Sequence, residues 1–205
     1  MFNNFYKHFG KRIVDLVLSL ILLLLSFPVL LVCSILVRLT MGTPVFFVQK
    51  RPGRNDNIFL LIKLRTMQNF KDERGVLLPD KDRLTRLGRF LRSTSIDELP
   101  ELWNVVIGEM SLVGPRPLLA EYLTRYSEKQ SRRHEVLPGL TGLAQINGRN
   151  NLDWDRKFEL DVQYVDNLSF FLDIKILIIT FLKIIQRKNI SKLGSATSPE
   201  FKPEL

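Results

Sequence analysis

A long apolar run near the N-terminus dominates the hydropathy pattern of the chain. Residues 13–37 are almost wholly apolar, and a helix needs about 20 such residues to cross the hydrocarbon core of a membrane. Pro28 lies in the middle of the run and removes a backbone hydrogen bond, while basic residues flank both ends. Because positive flanks favour the cytoplasmic side, we predict a re-entrant helix that bends near Pro28. A single span with a proline kink fits the pattern equally well.

A second apolar stretch, residues 168–185, is interrupted by charges. Asp173, Lys175 and Lys183 make it a poor candidate for crossing a membrane. Phe, Leu and Ile residues fill one helical face and charges interrupt the other, which predicts an amphipathic helix in the membrane interface. A buried core helix is the alternative.

Between these stretches the pattern indicates short strands and helices. Residues 44–49 and 58–62 read as two strands of a small β-hairpin around a turn-rich segment, and residues 69–82 as a charged loop. Apolar residues at helical spacing predict helices at residues 83–91, 99–106, 118–135 and 154–167. The predicted fold class is therefore α+β and mainly helical, with a re-entrant membrane helix, interfacial amphipathic helices and a short β-hairpin in a small cytoplasmic domain.

The length of 205 residues fits one domain plus an anchor. We predict a membrane anchor over residues 1–40, a cytoplasmic, membrane-associated domain over residues 41–188 and a flexible polar tail over residues 189–205.

The charge balance indicates anionic partners. Lys and Arg total 30 against 21 Asp and Glu, which gives a net charge of +9. Nucleic acid, anionic lipid and phosphorylated substrates would all be attracted, so charge alone does not choose between them. The single cysteine, Cys33, lies in the apolar run, which argues against a disulfide framework or a zinc cluster. His8 and His134 are the only histidines, so a multi-histidine metal site is excluded.

The adjacent carboxylates of Asp97 and Glu98 are the first candidates for chemistry, because they stand where a helix is predicted to begin. Ser95 with Glu98 three residues later also fits a capping box, a purely structural explanation. The functional interpretation is that an ionised Asp97 attacks phosphorus while Glu98 accepts a proton.

Candidate cations for a phosphate accompany this pair. Arg116 is notable because prolines on both sides restrict its backbone. A Gly-rich stretch at residues 138–150 suits close approach of the backbone to a ligand, although it lacks the spacing of a P-loop. The candidate cations are Lys63, Arg65, Arg92, Arg116 and Arg149.

Six motifs, in the order in which they occur along the chain, resemble those of the bacterial sugar transferase family, the monotopic phosphoglycosyl transferases. The likeness is greatest to the small single-domain members of the family. The resemblance covers residues 11–180. The motifs are Lys11-Arg12-Ile13-Val14-Asp15, Gln49-Lys50-Arg51-Pro52-Gly53, Lys63-Leu64-Arg65-Thr66-Met67, Ser95-Ile96-Asp97-Glu98-Leu99-Pro100, Gly114-Pro115-Arg116-Pro117 and Gly142-Leu143-Ala144-Gln145-Ile146-Asn147-Gly148-Arg149.

The resemblance implies transfer of a sugar 1-phosphate from a UDP-sugar to a polyprenyl phosphate, usually undecaprenyl phosphate, with release of UMP. It implies that Asp97 is the nucleophile that forms a covalent phosphosugar intermediate and that Glu98 assists, for example by activating the lipid phosphate. Mg²⁺ is implied at Asp97, where it would offset the charge of the diphosphate.

The same resemblance implies substrate-binding roles for Lys63, Arg92 and Arg116, and less specific ones for Arg149 and Asp161. It implies a bacterial inner membrane location with the catalytic domain on the cytoplasmic face, and no nucleic acid partner. The sugar, the glycoconjugate pathway and the oligomeric state, a homo-oligomer included, stay open.

Two alternatives remain from the residues alone. A metal-dependent glycosyltransferase could use Asp80 and Asp82, and would release UDP. A basic membrane adaptor without catalysis would explain the charge, although it would give the clustered motifs no role.

Overall fold

The computed structural model describes residues 2–148, 151–186 and 200–201. The fold is mainly helical, as predicted. The α-helices are α1 (Phe2–Phe5), α2 (Lys11–Met41), α3 (Asp80–Arg83), α4 (Arg86–Thr94), α5 (Glu101–Ile107), α6 (Glu128–Ser131), α7 (Leu143–Asn147), α8 (Trp154–Asn167) and α9 (Phe170–Ile185). The strands are β1 (Phe46–Pro52), β2 (Ile58–Leu64), β3 (Ser111–Val113) and β4 (Gly139–Thr141).

The N-terminal apolar run forms one long helix. A π-helical segment, Tyr6–Gly10, joins α1 to α2, and α2 continues through Pro28. Within the described residues, Asn3–Met41 is the one helix long and apolar enough to cross a membrane, and only 11% of its most apolar window is buried. A core helix of a soluble domain would be mostly buried, so this helix needs another apolar environment.

Both ends of α2 are fastened to the same globular domain. At the N-terminal end, Lys11 donates hydrogen bonds to Asp173 in α9 (2.7 Å) and to the carbonyl of Val113 (3.0 Å). At the C-terminal end, the Arg65 guanidinium donates to the carbonyls of Met41 and Gly42. The carbonyl groups that end the helix are thus satisfied by a buried side chain of the domain.

The predicted hairpin is confirmed. Strands β1 and β2 pair antiparallel from Phe46 opposite Leu64 to Pro52 opposite Ile58. On one face, Phe59 and Leu61 enter the main core beside Leu102 of α5. Since successive side chains alternate between faces, Lys63 shares this inner face with Phe59 and Leu61.

Helix α9 forms where the second apolar stretch predicted a helix, but one of its charged residues, Asp173, faces the protein core. Asp173 is 3% exposed and accepts hydrogen bonds from Tyr6 (2.7 Å) and Tyr164 (2.7 Å), in addition to Lys11. Phe171 and Phe181 are instead exposed. The expectation that charges form the outer polar face is therefore wrong at Asp173, because a buried cation and two hydroxyl groups satisfy its carboxylate.

The helix predicted over residues 118–135 is broken into shorter pieces: a 3-10 helix at Ala120–Arg125, then α6, then a 3-10 helix at Arg132–Glu135. Ser127 starts α6 with a capping box in which Gln130 is the partner. A strong N-cap in the middle of the segment favours a new helix start over a continuous helix.

Part of the predicted tail is described. Phe201 is 3% exposed and packs among the rings of Tyr122, Tyr126, Trp154 and Phe158. Residues 189–199 and 202–205 lie outside the described residues, so the expected flexible tail stays a prediction.

Candidate active site

The two predicted carboxylates lie in a tight turn between α4 and α5. Ser95 ends α4 in a left-handed conformation (φ 58°), and Ile96–Glu98 form a 3-10 turn that leads into α5 at Pro100. The Ser95 side chain makes no capping hydrogen bond. The capping-box interpretation is therefore wrong, because the Glu98 carboxylate turns toward side-chain cations and away from the backbone.

Lys63 stands between two glutamates. Its Nζ lies 3.0 Å from Glu98 Oε1 and 3.0 Å from Glu101 Oε1. Burial alone would lower the pKa of Lys63, but the charges of Glu98 and Glu101 outweigh it and the pKa is raised. Lys63 is therefore held as a cation at the base of the site.

Arg116 reaches the same carboxylate from the proline-flanked loop and donates to Glu98 Oε1. Burial opposes ionisation of Glu98, yet the charges of Arg116 and Lys63 outweigh it and hold the pKa of Glu98 well below its usual range. The Arg116 side chain is still 40% exposed. Its guanidinium therefore keeps room for an incoming anion.

Asp97 has a different environment from its neighbour. It is 8% exposed, and burial followed by repulsion from Glu98 raises its pKa to about 6, although Lys63, Arg92 and Arg116 act in the opposite direction. Two adjacent carboxylates with pKa values pushed apart are typical of sites where one group stays fixed and the other reacts.

Arg92 approaches from α4. Its Nε donates to the Thr66 hydroxyl at 3.0 Å. Gly88, one helical turn earlier, allows this approach, because a Cβ there would lie 1.9 Å from the carbonyl oxygen of Thr66. The structure thus brings together five of the predicted residues: Lys63, Arg92, Asp97, Glu98 and Arg116.

The other predicted residues are placed differently. Arg65 is buried at the end of α2, where its guanidinium is occupied by backbone carbonyls, so the interpretation of Arg65 as a phosphate-binding cation is wrong. Arg149 lies outside the described residues. Asp161 is 3% exposed on α8 and pairs with Arg133 at 2.8 Å.

Arg133 connects Asp161 to the site. Its side chain is 1% exposed, and the guanidinium donates to Asp161, to the Tyr126 hydroxyl (3.1 Å) and to the backbone carbonyl of Arg116 (2.6 Å). A buried guanidinium satisfied in this way fixes the backbone from which the Arg116 side chain projects. Asp161 is thus connected to the Arg116 loop through Arg133, and its expected role in substrate binding stays a prediction.

Reasoning from the sequence missed Glu101, Arg133 and Arg51. In the sequence, Glu101 is an acid in the first turn of a helix and Arg133 is one cation of a charged run, and neither position signals a site. Arg51 donates to the carbonyl of Pro117, and burial together with the charge of Arg116 lowers its pKa to about 10. The position of Arg51 beside Pro52 and Gly53 was the only available signal.

The site offers limited ligands for a metal. No group of three or more His, Cys, Asp and Glu side chains that could hold a metal ion occurs among residues 2–148, 151–186 and 200–201. Glu98 and Glu101 already pair with Lys63, whereas Asp97 makes no ion pair with any residue that the structure describes. This fits Mg²⁺, which often binds through one or two protein carboxylates together with substrate phosphates and water.

Chemically, the arrangement combines a poised carboxylate with a set of cations. Burial and the charge of Glu98 raise the pKa of Asp97 to about 6, and the side chains of Lys63, Arg92 and Arg116 lie around it. Such a group suits nucleophilic attack on a phosphoryl centre whose charge the cations offset.

Comparisons with known proteins find a matching family and several relatives. The family model for bacterial sugar transferases matches residues 6–187. The uncharacterized sugar transferase EpsL of Bacillus subtilis is 53% identical over 93% of this chain and 95% of its own length. A UDP-glucose:undecaprenyl-phosphate glucose-1-phosphate transferase of Klebsiella pneumoniae is 39% identical over 84% of this chain and 39% of its own length.

An undecaprenyl-phosphate galactose phosphotransferase of Salmonella typhimurium is 35% identical over 90% of this chain and 43% of its own length. The chain thus spans nearly all of EpsL but less than half of these two relatives of named activity.

Proposed function

The chain belongs to the bacterial sugar transferase family, as the resemblance predicted, and is a transferase; from that premise we propose that it transfers a sugar 1-phosphate from a UDP-sugar to undecaprenyl phosphate. The products are UMP and a polyprenyl-diphospho-sugar, which would begin glycoconjugate assembly. The observation that carries the proposal is Asp97, a buried carboxylate with a pKa of about 6 surrounded by three cations. The named activities of the relatives support the reaction class.

The reaction would proceed in two displacements at one phosphorus. An Asp97 carboxylate oxygen attacks the β-phosphorus of the UDP-sugar, and the bond from that phosphorus to the bridging oxygen breaks. UMP leaves with the bridging oxygen, and Asp97 carries an acyl phosphosugar. A phosphate oxygen of the lipid then attacks the same phosphorus and releases the Asp97 carboxylate.

The neighbouring residues would prepare the site for this chemistry. Lys63 and Arg116 offset the charge of the diphosphate and are held in place by Glu98. A low pKa weakens Glu98 as a base, so the geometry favours this positioning role over activation of the lipid phosphate. The activating role implied by the resemblance stays a prediction.

Magnesium would be held by Asp97 together with the substrate diphosphate. When bound it would neutralise charge on the diphosphate and on the departing UMP. The position of the Asp97 carboxylate beside Glu98 and Glu101, which already pair with Lys63, supports this proposal.

The test of the proposed function is the identity of the released nucleotide. Detergent-solubilised protein is incubated with Mg²⁺, undecaprenyl phosphate and a panel of UDP-sugars. UMP release supports phosphosugar transfer and identifies the sugar, whereas UDP release would support the glycosyltransferase alternative through Asp80 and Asp82. No release across the panel would favour the adaptor.

We propose that the long helix is re-entrant, with the domain on the cytoplasmic face of the inner membrane. Lys11 and Arg65 tie opposite ends of α2 to one charged domain, whereas the two ends of a spanning helix would lie on opposite faces of the membrane. The exposed middle of the helix, including Leu24 (76%) and Leu25 (70%), would face lipid. The membrane is then where the soluble UDP-sugar meets the lipid phosphate.

Cysteine labelling tests this topology. In a Cys33→Ala background, Asn3→Cys and Thr40→Cys mark the two helix ends, and Lys81→Cys marks the domain. We expect a membrane-impermeant maleimide to label all three only in inside-out vesicles, because re-entry leaves both ends on one face. Labelling of Asn3→Cys and Thr40→Cys from opposite faces would show a single span.

The pKa of Asp97 predicts an acid limb in the pH profile. A carboxylate with a raised pKa is protonated, and therefore a poor nucleophile, below about pH 6. We expect kcat/KM for the UDP-sugar to fall about tenfold per pH unit below this value and to level off above it. Measuring the UMP burst without lipid phosphate avoids the titration of the acceptor; a limb near pH 4 would contradict the prediction.

A further inference from the structure

Phe201 docks on the globular domain at a cluster of aromatic rings. Its side chain is 3% exposed. The Phe201 ring lies 4.9 to 6.0 Å, between centroids, from the rings of Phe158, Trp154, Tyr122 and Tyr126. Aromatic rings bury a large apolar area, and edge-to-face pairs such as Phe201 with Phe158 add to that energy. Phe201 is therefore an integral part of this cluster.

Polar contacts fix the backbone at the same place. The Phe201 amide nitrogen donates to the Tyr122 hydroxyl (3.1 Å). The Arg125 guanidinium donates to the Phe201 carbonyl (2.8 Å) and to the Glu200 carboxylate (2.7 Å). Both backbone polar groups of Phe201 thus have a partner on the domain, which sets the direction in which the ring enters the cluster.

Two rings of the cluster also contact the Arg133 guanidinium. Its Cζ lies 5.6 Å from the centroid of the Tyr126 ring and 5.6 Å from that of the Phe158 ring, within the range of a cation–π contact. Arg133 also donates to the Tyr126 hydroxyl (3.1 Å). Because Phe201 packs against both rings, it restricts the movement of the groups that hold Arg133.

Arg133 in turn holds the loop of the active site that carries Arg116. It donates to the backbone carbonyl of Arg116 (2.6 Å), whose side chain donates to Glu98. Prolines on both sides leave the Arg116 backbone few conformations, so a shift of its carbonyl moves the side chain as well. Direct contacts therefore connect Phe201 with Arg116.

We propose that Phe201 is a positioning residue for the active site: by packing against Tyr126 and Phe158 it holds Arg133, and thereby sets the Arg116 guanidinium to receive the phosphates of the substrate. The proposal rests on the proposed function, because it takes a diphosphate as the ligand of Arg116. Phe201 touches no reacting atom and lies beyond residues 6–187, which match the family model. Its effect on the reaction passes through Arg133.

The test compares Phe201→Ala with Phe201→Leu in the full-length, detergent-solubilised protein. Alanine removes the ring, whereas leucine keeps much of its apolar volume. We expect Phe201→Ala to raise the KM for the UDP-sugar about tenfold, because a displaced guanidinium makes a weaker contact with phosphate, and Phe201→Leu to stay within about threefold of wild type.

The pH profile distinguishes positioning from a merely structural role. Arg116 is one of the cations that lower the pKa of Asp97, so its displacement should raise that pKa and move the acid limb of kcat/KM to higher pH in Phe201→Ala. A lower Tm with an unchanged KM and an unchanged acid limb would show that Phe201 only stabilises the fold, and would overturn the proposal.

Arg125→Met is a milder variant, for the case in which Phe201→Ala does not fold. It removes the contacts of Arg125 with Glu200 and with the Phe201 carbonyl and leaves the rings in place. We expect it to raise KM about threefold, because the ring is held less firmly. Arg156→Met, which removes an exposed ion pair with Glu159 on α8, is the matched control and should behave as wild type. If Phe201→Ala does not fold, an unchanged KM in Arg125→Met would overturn the proposal.

Binding of inorganic diphosphate tests the position of Arg116 without turnover. We expect the rise in Tm with added diphosphate to be smaller in Phe201→Ala than in wild type and in Phe201→Leu, and to be lost in Arg116→Met. A lack of UMP release in every protein would count against the proposed function alone. Equal rises in Tm in Phe201→Ala and wild type would overturn the positioning role of Phe201.

Discussion

Asp97→Asn is expected to abolish UMP release while the protein remains folded. The amide lacks the nucleophilic carboxylate, so we expect the rate with the preferred UDP-sugar to fall by about a thousandfold or more. A burst of UMP without lipid phosphate, and radiolabelled phosphosugar bound to the protein, should both disappear, since both require the acyl phosphate on Asp97.

The stability of Asp97→Asn should not fall with its activity. A carboxyl group whose pKa is raised to about 6 stabilises the fold while it is protonated, and this contribution is lost as pH rises through about 6. At pH 7 the buried charge of Asp97 therefore lowers the free energy of unfolding, and Asp97→Asn removes this destabilisation. We expect Tm at pH 7 to stay the same or to rise.

Asp82→Asn is the matched control for this experiment. Asp82 is exposed on α3 and belongs to the acidic pair of the glycosyltransferase alternative. It should keep wild-type UMP release, and a reversed pattern, with Asp97→Asn active and Asp82→Asn inactive, would refute the assignment of the nucleophile.

Lys63→Met is expected to damage both catalysis and stability. The substitution removes the cation shared by Glu98 and Glu101, whose side chains are 20% and 2% exposed. Removing one partner of a buried ion pair commonly costs about 3–5 kcal/mol, because the remaining charge is left without compensation. We expect a fall of that order in the free energy of unfolding and a large loss of UMP release.

A double variant separates the two effects. Lys63→Met with Glu101→Gln removes the most deeply buried of the uncompensated charges, so it should recover a substantial part of the lost stability but not the activity. Lys81→Met, at an exposed position of α3, is the control and should change neither quantity. The free energy of unfolding is measured by chemical denaturation. An unchanged value in Lys63→Met would show that the ion pairs are energetically unimportant.

Much of the fold followed from local pattern. The hairpin, the helix Trp154–Asn167 and the long apolar helix were all predictable, because each depends on the spacing of apolar residues and on nearby turn residues. The helix expected over residues 118–135 is broken, because Ser127 caps a new helix start. Charged residues around Ser127 hide this cap in the sequence pattern.

The site was predictable in its residue types and less so in its pairings. Asp97 with Glu98, and the prolines around Arg116, gave clear local signals. Glu101 gave none, because an acid that begins a helix is usually exposed, and only the approach of Lys63 from β2 explains its burial. The same holds for Asp161, whose partner Arg133 lies on another element.

The sequence by itself determined the hairpin and most of the helices, the long apolar helix among them, as well as the basic character and the carboxylate pair with its family. These properties depend on residues close together in the chain. Tertiary structure alone decided that Asp173 faces inward to Lys11 and that Glu98 pairs with cations where a helix cap was expected. The reason is physical: whether a polar group is exposed, paired or left open depends on which distant elements pack against it, and local spacing does not carry that information.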